Sequence, residues 1–191
     1  SSTVSVLLYD VSQPANPKLL REYQVEGYSS EGRLIDGELT LAIGTSAYPW
    51  YYYGNQGGEE KGEALIPLFW DSKTAVWAPI TSCTSVYTIP RERGANFLSV
   101  VSFPIDGSGT ASAEVIMGYS ENMYMSTEHL FLTSTSWGDS DYYLKPEEIS
   151  TRIHRFTLGA AGAKYEKSGE VPGMLLNRYS LSEYGDYLRV V

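Results

Sequence analysis

The chain has 191 residues, 42% hydrophobic and 19% charged, a composition that excludes disorder and is long enough to bury a real core. A net charge of −9 supplies no basic stripe for phosphates, which argues against a nucleic-acid partner, and anionic membrane surfaces would repel the chain. A single cysteine, Cys83, rules out an intrachain disulfide, and no apolar run approaches the roughly 20 residues of a membrane-spanning helix.

In chain order the periodicity predicts strands. TVSVLLYDV (strand 3–10) and KLLREYQVEG (strand 18–26) are rich in β-branched and aromatic residues, and the second ends on Gly27. From Gly27, GYSSEGRLIDGELTLAI is a strand, a tight polar turn and another strand; a long connection (45–95) then leads to NFLSVVSFPI, the turn DGSG, and SAEVIMG. From Gly118 the order returns as GYSENMYMSTEHLFLTS, a shorter connection (136–148), TRIHRFTL and KYEKSGEVPG. KPEEISTRI (145–153) is the one helix-like patch, and it runs straight into a strand pattern. From Gly173, GMLLNRYSLSEYGDYLRVV repeats the first strand pair.

The repeated unit is four antiparallel strands, a to d, with a glycine closing d. The three glycines stand 91 and 55 residues apart; taking out b-to-c connections of 51 and 13 residues leaves 40 and 42. That agreement is the period of four-stranded propeller blades. The predicted fold is therefore all-β, a β-propeller of four-stranded antiparallel blades with about three blade equivalents in this chain. Residues 1–27 give strands c and d, 28–118 a blade with the insertion 45–95, 119–173 a blade with the insertion 136–148, and 174–191 strands a and b. A β-sandwich would use similar strands but would rarely repeat a quartet. Propellers typically use four to eight blades, so the expected partners are remaining blades of the same protein or further copies of the chain, meeting at open strand edges.

YDVSQPANPKLLREYQVEG, SSEGRLIDGELTLAI and, most specifically, EKSGEVPGMLLNRYSLSEYGDYLRVV resemble a family of secreted bacterial and archaeal proteins with a C-terminal β-propeller domain. The resemblance spans nearly the whole chain and includes the Tyr-rich insertion. It implies an extracellular propeller of roughly six to eight blades, often anchored at the cell surface, with no catalytic motif to carry over. The chain departs from the family in being much shorter than the family domain.

The residues themselves offer little for catalysis. His129 and His154 fall in strands with no ligand at metal spacing, which reads as structural or solvent-facing histidine. No nucleophile elbow, phosphate loop or dinucleotide fingerprint is present, and Cys83 reads as an inert loop residue. DGSGT (106–110) resembles the start of a calcium loop, but Met117 stands where a bidentate Glu belongs, so a hairpin turn is expected. Asp139 and Asp141, with Glu147 and Glu148 in the second insertion, are weak candidates for Ca²⁺; a solvated acidic loop is the plainer reading. No other cofactor is implied.

The insertions carry the functional expectation. Both occupy b-to-c connections and are expected on one end of the ring, where loops on a rigid scaffold commonly carry function. The first brings Tyr48, Trp50, Tyr51, Tyr52, Tyr53, Trp70 and Trp77; the second brings Trp137, Tyr142 and Tyr143. Such rings suit a ligand or partner surface, or a satellite core beneath a long loop. The expected function is an extracellular or cell-surface binding and assembly module without catalysis. The alternative is a lectin or glycan-processing enzyme using the same face, with glycan or a cell-surface protein as partner.

Overall fold

A computed structural model of the chain describes residues 2–46, 65–89, 96–137 and 148–191. Its strands are β1 (Thr3–Asp10), β2 (Lys18–Glu26), β3 (Tyr28–Ile35), β4 (Glu38–Ser46), β5 (Leu68–Asp71), β6 (Val76–Pro79), β7 (Val86–Tyr87) and β8 (Asn96–Pro104). They continue with β9 (Ser112–Met117), β10 (Asn122–Met125), β11 (His129–Ser136), β12 (Ser150–Gly159), β13 (Gly162–Pro172), β14 (Leu181–Tyr184) and β15 (Tyr187–Val190). The helix-like patch resolves into strand from Ser150 onward, where its Thr151 and Ile153 pair with β11.

Two sheets carry the a–b–c–d order: β3-β4-β8-β9, with β7 beyond β9, and β10-β11-β12-β13. A first sheet runs β1-β2-β5-β6, and β14-β15 form a separate hairpin. Local chemistry sets the corners. Asp36 and Gly37 join β3 to β4 with φ of 49° and 82°, the double positive φ of a two-residue type I′ hairpin that an Asp-Gly pair permits. The turn at Asp106 is a hairpin turn as expected: Asp106 Oδ1 accepts from Ser108 N at 2.9 Å, and Oδ2 from Ser108 Oγ at 2.6 Å.

The three repeat glycines are structurally equivalent. Gly27, Gly118 and Gly173 have φ of 125°, 149° and 89°. Each donates its N–H back to the start of strand c, to Ser2 O at 2.8 Å, Asn96 O at 2.9 Å and Ile149 O at 2.9 Å. The chain thus closes d against c and turns sharply into the next strand a, a conformation that L side chains rarely tolerate.

Burial explains the stacking. β8 is central in its sheet and buried on both faces, so its sequence NFLSVVSFP is nearly continuous in apolar residues. On one face Val101 and Phe103 join Ile43 and the first sheet's Val6, Leu8, Tyr23 and Val25. On the other, Leu98 and Val100 join Ala42, Ile116 and the third sheet's Met123, Leu130, Leu132 and Phe156. Three sheets therefore stack face to face with the β3-containing sheet in the middle. One buried hydroxyl links the sheets: Ser102 Oγ lies 3.0 Å from its cross-strand neighbour Thr40 Oγ1 and accepts from Ala163 N of the third sheet at 3.1 Å.

The first insertion departs from expectation over residues 65–89. Rather than decorating one end of the stack, it runs along the outer edge. β5 pairs antiparallel with β2, Tyr23–Val25 against Asp71–Phe69, and β7 pairs parallel with β9. Both satisfy backbone groups that strand d would otherwise expose at its free edge. Ile66, Phe97 and Val115, with Ile80, Val86 and Met117 against them, form a small core beneath the segment.

Candidate functional site

The expected surface residues fall in three groups. Tyr48, Trp50, Tyr51, Tyr52, Tyr53, Tyr142 and Tyr143, and the Ca²⁺ candidates Asp139 and Asp141, lie outside the described residues. Trp70 and Trp77 are brought together as a cross-strand pair on β5 and β6. Trp137, 45% exposed, follows β11 in the third sheet, so the middle sheet separates it from the other two.

Alternation along the first sheet builds the site around the tryptophan pair. On β2, Arg21, Tyr23 and Val25 are buried toward the middle sheet, which turns Glu22, Gln24 and Glu26 to the opposite face. Register then places Ser5, Gln24, Trp70 and Trp77 in one row across four strands. Trp70 is half-buried and Trp77 is 44% exposed. Gln24 Nε2 donates to Glu22 Oε1 at 2.7 Å, and Glu26 Oε2 accepts from Leu68 N at 3.2 Å, so polar groups beside the rings are held by their neighbours. The alternation in REYQVE could have shown Glu22, Gln24 and Glu26 sharing a face; their meeting with Trp70 is a long-range pairing with no local signal.

The hairpin that carries the rings is pinned from behind. Asp71 is buried and salt-bridged to Arg21, whose guanidinium also lies 4.7 Å from the Tyr23 ring centroid. That bond to Arg21 holds the Asp71 carboxyl below its ordinary range, and Asp71 in turn raises the guanidinium's already high value. Burial pushes the Tyr23 phenol up, and its hydroxyl has no partner among the described residues.

A second polar constellation joins the third sheet to the β14–β15 hairpin. Glu183 receives Ser126 Oγ at 2.5 Å on Oε2, and its Oε1 lies 2.7 Å from His129 Nδ1. His129 Nε2 faces Arg155 Nη2 at 2.6 Å, and because a guanidinium only donates, Nε2 is the acceptor. Arg155 Nε continues to Glu166 Oε2 at 2.8 Å. Ser, His and Glu meet here, but Ser126 Oγ bonds the carboxylate rather than the imidazole, so the Ser–His pairing of an activated nucleophile is missing and the group acts as a fastening. His154 lies on the other face, 1% exposed, with Nδ1 2.7 Å from Ser168 Oγ; burial, reinforced by Arg152, lowers it to about 4, so it is neutral at pH 7.

A cleft of about 300 Å³ opens between the a-to-b turn of the middle sheet and the turns of the third, lined by Ile35, Asp36, Glu38, Thr127, Leu158 and Gly159. Burial, with a smaller contribution from Asp106, raises the Glu38 carboxyl. Among the described residues no three His, Cys, Asp or Glu side chains converge as a metal set. Cys83 is exposed in a single 3-10 turn, Cys83–Ser85.

Four-stranded antiparallel sheets stacked face to face, each closed by an equivalent glycine, define a protein of the β-propeller class whose described sheets do not close a ring. The family model described as a beta propeller domain matches residues 1–191, and the chain belongs to that family. No curated protein and no solved structure matches it. Among the described residues no helix is long and apolar enough to cross a membrane.

Proposed function

We propose that the chain is an extracellular or cell-surface binding and assembly module, joined through open strand edges to further blades or to further copies of itself. The observation that carries this reading is a matched pair of half-blades. β14–β15 is an a–b hairpin seated on the third sheet through Leu181 and Glu183, and among the described residues β15 has no strand on its far side. β1–β2 is a c–d pair seated on the middle sheet, and β1 likewise ends its sheet. The face of β1 turned away from the core carries Leu7 and Tyr9, 45% and 49% exposed, as a surface that another blade would cover.

Light scattering over a concentration series tests the reading. Association beyond the 21.2 kDa chain is expected, together with slowed amide exchange along β1 and β15, and Leu7→Lys should weaken it. A monomer at every concentration, with both edge strands exchanging freely, would overturn it.

A further inference from the structure

We propose that the row of Trp70 and Trp77, with the carboxylates of Glu22 and Glu26 beside it, is a docking site for a cationic peptide segment bearing Lys or Arg side chains. The inference rests on the outer edge being a partner surface, and it does not involve the pairing of half-blades.

Position comes first. β2 holds the place of strand d in its sheet, and β5 and β6 are added beyond it. In the middle sheet the one strand added among the described residues, β7, touches the next sheet through Tyr87, whose ring centroid lies 4.7 Å from that of Tyr165. Trp77 stands one strand farther out than that. A neighbouring blade four strands wide would not reach it, so among the described residues its ring stays accessible after blades have stacked.

Charge then selects the occupant. Glu22 and Glu26 flank Gln24 at two residues on either side, on the same face as the tryptophan row. Among the described residues, the neighbouring bases Arg21 and Lys73 are turned away: Arg21 is taken up by Asp71, and Lys73 Nζ lies 2.8 Å from Gly107 O on the middle-sheet side. An indole face attracts a cation, more strongly than any other aromatic side chain. Carboxylates four residues apart along one face of a strand, about 13 Å, can each take an ammonium or guanidinium of an extended peptide. The net charge of −9 favours approach of a cationic partner and disfavours an anionic one. A neutral glycan would use the rings but bring no countercharge to the two carboxylates.

Calorimetric titration of the whole chain tests this with an acetylated, amidated peptide of alternating Lys and Gly, its Glu-Gly counterpart, and a neutral cello-oligosaccharide. The Lys peptide should bind with an affinity that falls as salt rises, and the other two should not. Trp77→Ala should weaken it roughly tenfold, and Glu22→Gln with Glu26→Gln by a comparable factor with a flatter salt dependence. Trp137→Ala should leave binding unchanged. On ¹⁵N-labelled wild type, which needs no substitution, the indole N–H signals of Trp70 and Trp77 should move and that of Trp137 should not. Equal binding by Trp77→Ala, still indole signals at Trp70 and Trp77, or oligosaccharide binding at the row with the Lys peptide inert would each overturn the proposal. Light scattering on the same samples reads half-blade pairing separately, since a monomer that binds the Lys peptide would sink only the assembly reading.

Discussion

The guanidinium of Arg21 lies edge-on to the carboxylate of Asp71, with Nε 3.0 Å from Oδ1 and Nη2 2.5 Å from Oδ2. The remaining nitrogen, Nη1, donates to Gly107 O at 2.9 Å and Gly109 O at 2.5 Å. One side chain on β2 therefore fastens the inserted β5–β6 hairpin and the β8–β9 turn of the middle sheet at once. Asp71 also receives Lys73 N at 2.9 Å, which starts the turn into β6. The pair is 2% and 10% exposed at its side chains, so each charge depends on the other for its solvation.

Removing one partner should be more harmful than removing both. Asp71→Ala strands a buried guanidinium and should cost about 3–5 kcal/mol, read as a lower urea midpoint at unchanged slope. Arg21→Met with Asp71→Leu should recover most of that loss. The pH dependence follows from the lowered Asp71 carboxyl. Its contribution is complete above the ordinary value of 3.8 and is lost as pH falls through the lower folded value, a loss absent in the double variant.

The repeat glycines are equivalent in role but not in surroundings, which predicts unequal costs. A Cβ at Gly27 would stand 2.5 Å from Gly44 O and 2.7 Å from Thr45 Oγ1, whereas one at Gly173 meets nothing within 4 Å. Gly173→Ala should cost only the backbone conformation, about 1–2 kcal/mol. Gly27→Ala adds a clash with backbone oxygen and should cost at least about 3 kcal/mol. Equal thermal midpoints for the two variants would refute the difference.

What was legible in the sequence was whatever local chemistry repeats. Gly27, Gly118 and Gly173 could be aligned because a positive φ at each d-to-a corner selects the same residue. Asp36-Gly37 announced its hairpin and NFLSVVSFPI announced a strand, whose burial on both faces came only with the stacked sheets. The β5–β6 hairpin was not legible. LFWD and VWAP are four residues each, too short for periodicity to speak, and their place is fixed by β2 more than forty residues away. The same holds for the site. Trp70 and Trp77 were visible as candidates, but Glu22, Gln24 and Arg21 became part of their surroundings only through that non-local pairing. Residues 48–53, on which the aromatic expectation chiefly stood, lie outside the described residues.

His154 should give the stability curve a distinct acid limb. Its folded value of about 4 lies below the ordinary 6.5, so between those limits the unfolded chain binds the proton that the folded chain refuses. Stability is therefore highest above pH 6.5 and declines as pH falls toward 4, by about 3 kcal/mol in all, with no further loss from this group below that. His154→Gln can keep a bond to Ser168 without titrating, so its unfolding free energy should decline less over the same interval. Parallel curves for the variant and the wild type would remove His154 as the cause.

Glu183 should control the β14–β15 hairpin without controlling the stacked sheets. Its carboxylate takes Ser126 and faces His129, and its backbone N–H donates to Tyr124 Oη at 3.0 Å. Leu181, 3% exposed, is the hairpin's only buried hydrophobic residue, so the polar contacts carry a large share of the attachment. Glu183→Ala deletes the side-chain contacts and leaves the backbone one. A loss of about 1–2 kcal/mol in local opening is expected, which speeds amide exchange across Leu181–Val190 roughly five- to thirtyfold. Exchange in β8 and β12 should stay unchanged, because those strands are held by the inter-sheet cores that the hairpin does not enter. If β8 and β12 accelerated in step with the hairpin, the hairpin would belong to one cooperative unit with the stack, and Glu183 would be a global rather than a local fastening.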